Sequence, residues 1–378
     1  MTLIVVLTSR WIGKRLINDT TFSVNVQHAL WLVLIAMVIS IVTAQFLMRV
    51  YPMTEPSLPL QIFHWFALSS MATLAMLAVF TAVRDLALIP FTAEKRALLK
   101  NSFSLGAMGL TGIGTLGGLI QARVLPRIKR VTVTLDNLPE AHHGLTIAQL
   151  TDVHIGPTIR GDHLQKIVEL TNELKPDIIA MTGDLVDGLV PQMAAQVEPF
   201  KNLQSRYGTF YITGNHEYYW GAQDWVTHFM TLGFQPLQNT HRALNINGEK
   251  LVIAGVNDVQ AEQMGAEGPD MKKAFKDAPT GTTRILLAHH PKLWDTSHEH
   301  GVHLQISGHT HAGQFWPVTW VVLLVHKYVK GLFERTNAQG QQEFLYVSPA
   351  TGYWGPPNRL FNPAEITHIT LLKKGRPV

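Results

Sequence analysis

In the first third of the chain, apolar residues gather into long runs free of charged residues, whereas beyond Leu145 they come in short bursts that end at a polar cluster. Three of the long runs, 29–48, 62–83 and 101–122, have the roughly 20 residues that a membrane-crossing helix needs. The first is dominated by Leu, Ile, Val, Met and Ala; the third is weaker, with Gly and Thr recurring between Gly106 and Gly118. The stretch 3–7 is too short to span. The later bursts, 145–150, 178–181, 210–213, 285–288 and 304–307, are rich in Ile, Leu and Val and read as buried strands. Apolar residues at three- and four-residue spacing predict helical connectors over 161–174 and 191–204, and Asn247-Gly248 predicts a hairpin across 239–256. The division that follows is a membrane region over 1–128 with three transmembrane helices, then a strand-rich region over 129–378.

Charge sharpens that division. Up to Arg130 there are 12 Lys and Arg against 4 Asp and Glu, whereas the remainder has 19 against 23. The basic excess therefore flanks the apolar runs, as membrane segments require, and the mildly acidic remainder repels nucleic acid. No nucleic-acid partner is expected, and nothing compels a protein partner. Of the basic residues near the spans, seven fall on the side of the N-terminus and five on the other, which favours a catalytic region outside the cytoplasm. Lys95-Arg96 ahead of the Gly-rich run resembles a twin-arginine export signal with Lys in its first position. The expectation is an integral protein of a bacterial inner membrane.

The absence of Cys removes disulfide frameworks, thiolate nucleophiles and cysteine zinc sites. Histidine is abundant instead, and of 18 residues only His28 and His64 precede position 131. Each burst leads into ligand-type side chains: Asp152-Val153-His154, then Gly183-Asp184-Leu185-Val186-Asp187, Gly214-Asn215-His216-Glu217, His289-His290-Pro291, and Gly308-His309-Thr310-His311. Loops after the carboxyl ends of strands converge on one crevice in open α/β sheets. Carboxylates, imidazoles and one amide without soft sulfur suit divalent ions, and a pair of such ions needs a negative bridge, for which Asp184 is the natural candidate.

The ordered series DxH, GDxxD, GNHE, H, GHTH resembles the calcineurin-like metallophosphoesterases over roughly 130–370. Gly313-Gln314 and Pro363-Ala364-Glu365-Ile366 resemble the membrane-associated branch that includes UDP-2,3-diacylglucosamine hydrolases. The resemblance implies an αββα sandwich of two mixed sheets, an α/β fold, following the all-α membrane region. It implies two divalent metal ions, Mn, Fe or Zn, with Asp152, His154 and His311 on one, Asn215, His289 and His309 on the other, and Asp184 between them. A hydroxide shared by the ions would attack phosphorus, His216 would face the phosphoryl group as a charge stabiliser or acid, and Asp187 would hold His216. Ala312 stands where the branch often has Gly, a change of backbone freedom alone.

His290 is expected to point away from its neighbour, since consecutive strand residues face opposite sides. His326 and the other histidines read as surface or packing residues. The run 315–325 is either a buried element or an apolar lip that dips into a bilayer or holds acyl chains; Trp220, Trp225, Trp316, Trp320, Tyr353 and Trp354 are candidates for the same surface. Arg359 is a candidate phosphate clamp. The leading expectation is hydrolysis of a phosphoester or pyrophosphate bond in a lipid-linked substrate such as UDP-2,3-diacylglucosamine. The alternatives are a nucleotide or phosphoprotein phosphatase or phosphodiesterase, and a non-catalytic metal-binding membrane scaffold or sensor.

Overall fold

A computed structural model describes residues 2–50, 56–338 and 340–376. It falls into two compact units: one comprises 1–124 together with 314–321 and 355–362, the other 125–313, 322–354 and 363–378. The chain past the membrane region is thus not one uninterrupted body, since two of its segments group with the helices.

The helical unit begins with α1 (Thr2–Gly13), followed by a π-helical turn and then α2 (Val24–Val50), α3 (Leu58–Leu88) and α4 (Ala93–Arg123). The last three are long and apolar enough to cross a membrane, and each extends past its run at both ends. Thr92 caps α4, its hydroxyl accepting the Lys95 N–H. Polar groups turn inward here: the buried Arg84 donates to Ser104 and pairs with Asp85 at 2.7 Å, and Arg15 reaches Asp85 at 3.0 Å. The glycines of α4 have a structural purpose. Segment 355–362 lies against the last three of them, Gly114, Gly117 and Gly118, with the Arg359 N–H donating to the Gly118 carbonyl at 3.1 Å and the Phe361 N–H to Gln121 at 3.0 Å. A β-carbon on Gly118 would sit 1.8 Å from Asn358 Oδ1, so only Gly permits this approach.

The second unit holds two six-stranded mixed sheets. The first contains β1 (Arg127–Leu135), β2 (Thr146–Leu150), β3 (Ile178–Met181), β4 (Thr209–Tyr211), β5 (Phe234–Pro236) and β12 (Glu365–Lys373), in the order β1-β12-β2-β3-β4-β5. The second contains β6 (Thr240–Ile246), β7 (Glu249–Gly255), β8 (Thr283–Leu287), β9 (Leu304–Ser307), β10 (Gly331–Thr336) and β11 (Gln342–Val347), in the order β10-β11-β9-β8-β7-β6. Strands β2 to β5 run parallel, as do β7, β8, β9 and β11. The turn between β6 and β7 is the Asn247-Gly248 hairpin, with both residues at positive φ.

Alternation builds the layers. Along β7, Leu251 and Ile253 enter the core between the sheets, whereas Val252 and Ala254 face outward onto α9 (Met271–Ala274). From the first sheet Ile147, Ile178, Phe210 and Ile369 meet them in the same core. Helix α5 (Gly161–Glu173) occupies the first predicted connector and buries Leu164, Ile167, Val168 and Thr171. The second connector is α6 (Val190–Val197) followed by a 3-10 turn. Beyond α7 (Asn215–Tyr219), helix α8 (Ala222–Thr231) stacks Phe229 between Trp225 and Phe234, with Tyr211 meeting it edge-on. Trp225 and Tyr353 are therefore core residues and contribute to no exposed surface.

After β9 and a short α10 (Trp294–Ser297) that precedes it, the apolar run 315–325 resolves into α11 (Thr319–Val325). None of its residues is buried, and Leu324 and Val325 are 88% and 73% exposed. The buried-element alternative does not hold for this helix.

Candidate metal centre

The five polar loops begin where β2, β3, β4, β8 and β9 stop. Pairing continues past the first two strands: the N–H groups of Asp152, His154 and Ile155 donate to the carbonyls of Gly183, Asp184 and Leu185 at 2.9, 3.2 and 2.9 Å. This sets Asp152 and His154 beside Asp184. From the other sheet, the His309 N–H is shared by both Asp152 carboxylate oxygens at 3.1 Å, and the Gly308 N–H donates to the His289 carbonyl at 3.1 Å. The motif glycines are required by these approaches. A β-carbon on Gly214 would lie 2.2 Å from Asp184 Oδ1, and one on Gly308 would lie 2.1 Å from Asp152 Oδ2.

Asp152, His154, Asp184, His309 and His311 all take left-handed φ, between 49° and 70°. Such a conformation costs a non-glycine residue roughly 1–3 kcal/mol. Five of them in one crevice persist only because the interlocked loops over-determine the backbone. Ala312 shares the conformation, at φ 50°, which accounts for the preference for Gly there.

The donor atoms gather into overlapping buried groups: Asp152, His154 and His311; Asp184, His289 and His309; and His154, Asp187 and His216. Asp184 Oδ2 stands 3.2 Å from His289 Nε2 and 3.9 Å from His154 Nε2, between the first two groups. Asn215 Oδ1 lies 2.9 Å from His309 Nδ1. Ring orientation is fixed from behind. His289 Nδ1 donates to the Thr182 carbonyl at 2.8 Å, and His154 Nδ1 to Asp187 Oδ2 at 3.1 Å, so each ring turns its Nε2 edge into the crevice. There His289 Nε2 meets Asp184 and, at 3.3 Å, His309 Nδ1, while His154 Nε2 meets His311 Nε2 at 3.1 Å. Nitrogens facing one another at these distances repel unless a proton or a metal ion lies between them. Two nitrogens on one tetrahedral ion with bonds of about 2.05 Å stand about 3.3 Å apart. The residues therefore fit a divalent metal.

At His289 burial acts downward, yet Asp184 and Asp152 lift the imidazole well above its usual range, so the crevice is built to hold positive charge. Burial would raise the Asp152 and Asp184 carboxyls, but the surrounding imidazoles hold both below the usual carboxylate range. Burial and His289 push His309 down to about 3, leaving it neutral and able to ligate. At His216 burial acts downward, yet Asp187 and Asp184 outweigh it and lift the imidazole to about 9. Asp187 contacts both His216 Nδ1 and His154 Nδ1, one through each oxygen. Beside His216 are the rings of Tyr219 and Trp354, at 5.2 and 5.5 Å.

All seven residues expected around the ions, with His216 and Asp187, thus come together. Arg359 does not join them; it is fully buried in the helical unit, where its guanidinium reaches the Asn362 carbonyl at 3.5 Å. Two participants were not foreseen. Glu217, wholly buried, accepts the N–H groups of Asp184, Leu185 and Gly214 at 2.9, 2.7 and 2.6 Å, clamping two loops together. Its signal was the last letter of GNHE. His290 does not point away: its ring lies 4.4 Å from that of His309, with His326 close by.

A family model described as Calcineurin-like phosphoesterase matches residues 145–313. Over 97% of its length the chain is 29% identical to a Danio rerio transmembrane protein with metallophosphoesterase domain, 87% of which is covered. It is 35% identical to an uncharacterized metallophosphoesterase of Helicobacter pylori, across 76% of this chain and 75% of that one. With a transmembrane protein with metallophosphoesterase domain from Bos taurus the identity is 34%, across 70% of this chain and 61% of that protein.

Proposed function

The chain belongs to the calcineurin-like metallophosphoesterases and is a membrane-associated, metal-dependent phosphoester hydrolase; from that premise we propose that its substrate is a lipid-linked phosphoester or pyrophosphate. In this reading Asp152, His154 and His311 hold one divalent ion, Asn215, His289 and His309 hold a second, and Asp184 joins them. The imidazole and carboxylate donors suit Mn, Fe or Zn. Bound there, the ions polarise phosphoryl oxygens and lower the pKa of water toward neutrality. His216, kept protonated by Asp187, donates its proton to the departing oxygen. Asp187 also orients His154, so one carboxylate serves a ligand and the acid together. Glu217 positions the backbone that carries Asp184.

The lipid-linked reading is carried by α11. Trp320, Val321, Leu323, Leu324 and Val325 are all more than half exposed, on a segment that leaves the His309–His311 loop. Moving half-exposed side chains of this size from water into an apolar phase is worth roughly 1 kcal/mol each. A bilayer or acyl chains supply that phase. The membrane is taken to be a bacterial inner membrane with the active unit outside the cytoplasm. This orientation is supported by Arg15, Arg84 and Lys100, which meet Asp19 and Asp85 at one end of the helix bundle.

The test is a substrate panel given to purified protein loaded with each metal in turn: UDP-2,3-diacylglucosamine and other acylated pyrophosphates in micelles, beside simple nucleotides and a phosphopeptide. Leu323→Glu and Leu324→Glu should lower turnover of the acylated substrates and spare the nucleotides. Equal activity on micellar substrates before and after substitution would favour a nucleotide or phosphoprotein phosphatase. Absence of hydrolysis with every metal would favour a non-catalytic scaffold. A reporter active only outside the cytoplasm, fused at the C-terminus, reads the orientation.

A further inference from the structure

Two imidazoles beside the centre remain unused by the roles given above. The His290 ring lies over that of His309, 4.4 Å between centroids at a tilt of 32°. The His326 ring is 5.9 Å from His309 and 6.0 Å from His290. The three rings form a cluster on the Asn215–His289–His309 half of the crevice. Neither extra histidine falls within the donor groups that could hold a metal among the described residues.

Each is placed by a specific contact. His290 caps the 3-10 turn that begins at Pro291, and its Nδ1 accepts the Lys292 N–H at 3.2 Å. A neutral ring whose Nδ1 accepts must carry its proton on Nε2, so His290 offers one N–H donor. His326 directly follows α11, its own N–H closing the last turn on the Val322 carbonyl at 3.0 Å. The chain after it is tied back to the metal loop, because the Thr310 hydroxyl donates to the Val329 carbonyl at 2.6 Å. Neither ring is ion-paired to a carboxylate among the described residues, and the nearest fixed cation to His290 along the chain is Lys292. An N–H donor with a lysine two residues away and no acid paired to it suits an anion.

We propose that His290 and His326 form a second phosphate subsite, which makes a phosphoric anhydride, a P–O–P linkage, the preferred substrate class. The inference rests on the metal-centre reading above but is independent of the acyl chain. Hydrolysis of such a linkage joins the oxygen of water to one phosphorus and breaks that atom's bond to the bridging oxygen. The electron pair leaves with the second phosphate, and the protons of water pass to bases and solvent. Negative charge therefore grows on the phosphate not being attacked, which a simple monoester lacks. The His290 Nε2–H, with the His326 imidazole beside it, stabilises that charge as it forms.

The full-length protein in detergent with Mn²⁺ tests this, using a soluble nucleoside diphosphate sugar and p-nitrophenyl phosphate. His290→Phe and His326→Phe keep a ring in the cluster and remove the donor. Each should shift the ratio of KM for the two substrates about fivefold against the diphosphate, the worth of one hydrogen bond. His326→Gln, which restores an N–H donor, should recover most of that shift. Inhibition of p-nitrophenyl phosphate hydrolysis by imidodiphosphate should weaken in parallel. Equal loss on both substrates, an unchanged ratio, or bound metal lost from the Phe variants by elemental analysis each overturns the proposal. A wild-type enzyme that cleaves p-nitrophenyl phosphate but not the diphosphate sugar overturns it too. Because neither probe is acylated, failure here leaves the lipid-linked reading to its own test.

Discussion

The two units apply one rule of packing with opposite results. In the sheet unit, Ile147, Phe210, Ile253 and Leu304 are sealed inside, and polar residues crowd the crevice. In the helical unit, Leu32, Phe46, Leu98 and Ile113 point outward, whereas Ser40, Ser70, Thr81, Arg84, Ser104 and Thr111 are buried. The difference lies in the solvent rather than in the residues. Against lipid an outward Leu costs nothing, and an inward Ser or Arg finds a helix partner that hydrocarbon cannot offer. Helix α11 follows the helical unit's rule although it arises inside the catalytic stretch, which makes it the informative exception.

That contrast can be broken from either side, and the largest effect should come from the crevice. Asp184→Asn removes the charge between the two donor groups and should cut kcat by about 10³-fold or more. Bound metal, measured by elemental analysis, should fall as well, while membrane insertion is untouched. Full retention of activity would mean the centre is misread. Next, Glu217→Ala strands three buried N–H groups, each worth about 1–3 kcal/mol. Denaturant titration should show the sheet unit destabilised by at least one such contribution, and a neutral result would remove Glu217 as the clamp.

On the other side, Gly118→Val forces a side chain into Asn358 and should cost about 1–3 kcal/mol. It should be read as a lower unfolding temperature in detergent with bound metal unchanged. The smallest effect is one of pH. The folded His216 value is raised, so its imidazolium is present below about 9 and is lost as pH rises through that value. Esters with poor leaving groups should therefore slow up to about tenfold per unit above it. Activated aryl esters, which need no acid, should not, and His216→Gln should abolish the distinction. A common alkaline limb for both ester classes would refute the acid role.

Much of the crevice was legible in the sequence because its residues are local to strand ends. A buried strand announces itself by an Ile, Leu and Val burst, and the polar cluster follows within a few positions, so Asp152, Asp184, Asn215, His289 and His309 could be ordered before any fold was known. The hairpin at Asn247-Gly248 was legible for the same reason. Residues whose place depends on tertiary return were not. His326 comes to His309 where the chain after α11 is tied back, Thr310 donating to the Val329 carbonyl. Arg359 sits beside Asn358, and its neighbourhood is set by α4, far away along the chain. Side-chain alternation failed at His290, where the strand has already ended and a helical cap takes over. The exposure of α11 was equally invisible, since an apolar run of that length is compatible with both interior and interface.

The loop laid along the glycines of α4 bears on modularity. Membrane anchors are commonly interchangeable, because they touch the enzyme they carry through a linker and little else. Here Asn358, Leu360 and Phe361 spend their contacts on the anchor itself, as do Phe315 and Trp316. A fragment starting at Leu125 would keep those residues and lose everything they rest on, so it should emerge sticky and ill-formed even with every ligand in place. Transplanting the anchor would likewise mean moving two later pieces of chain along with it.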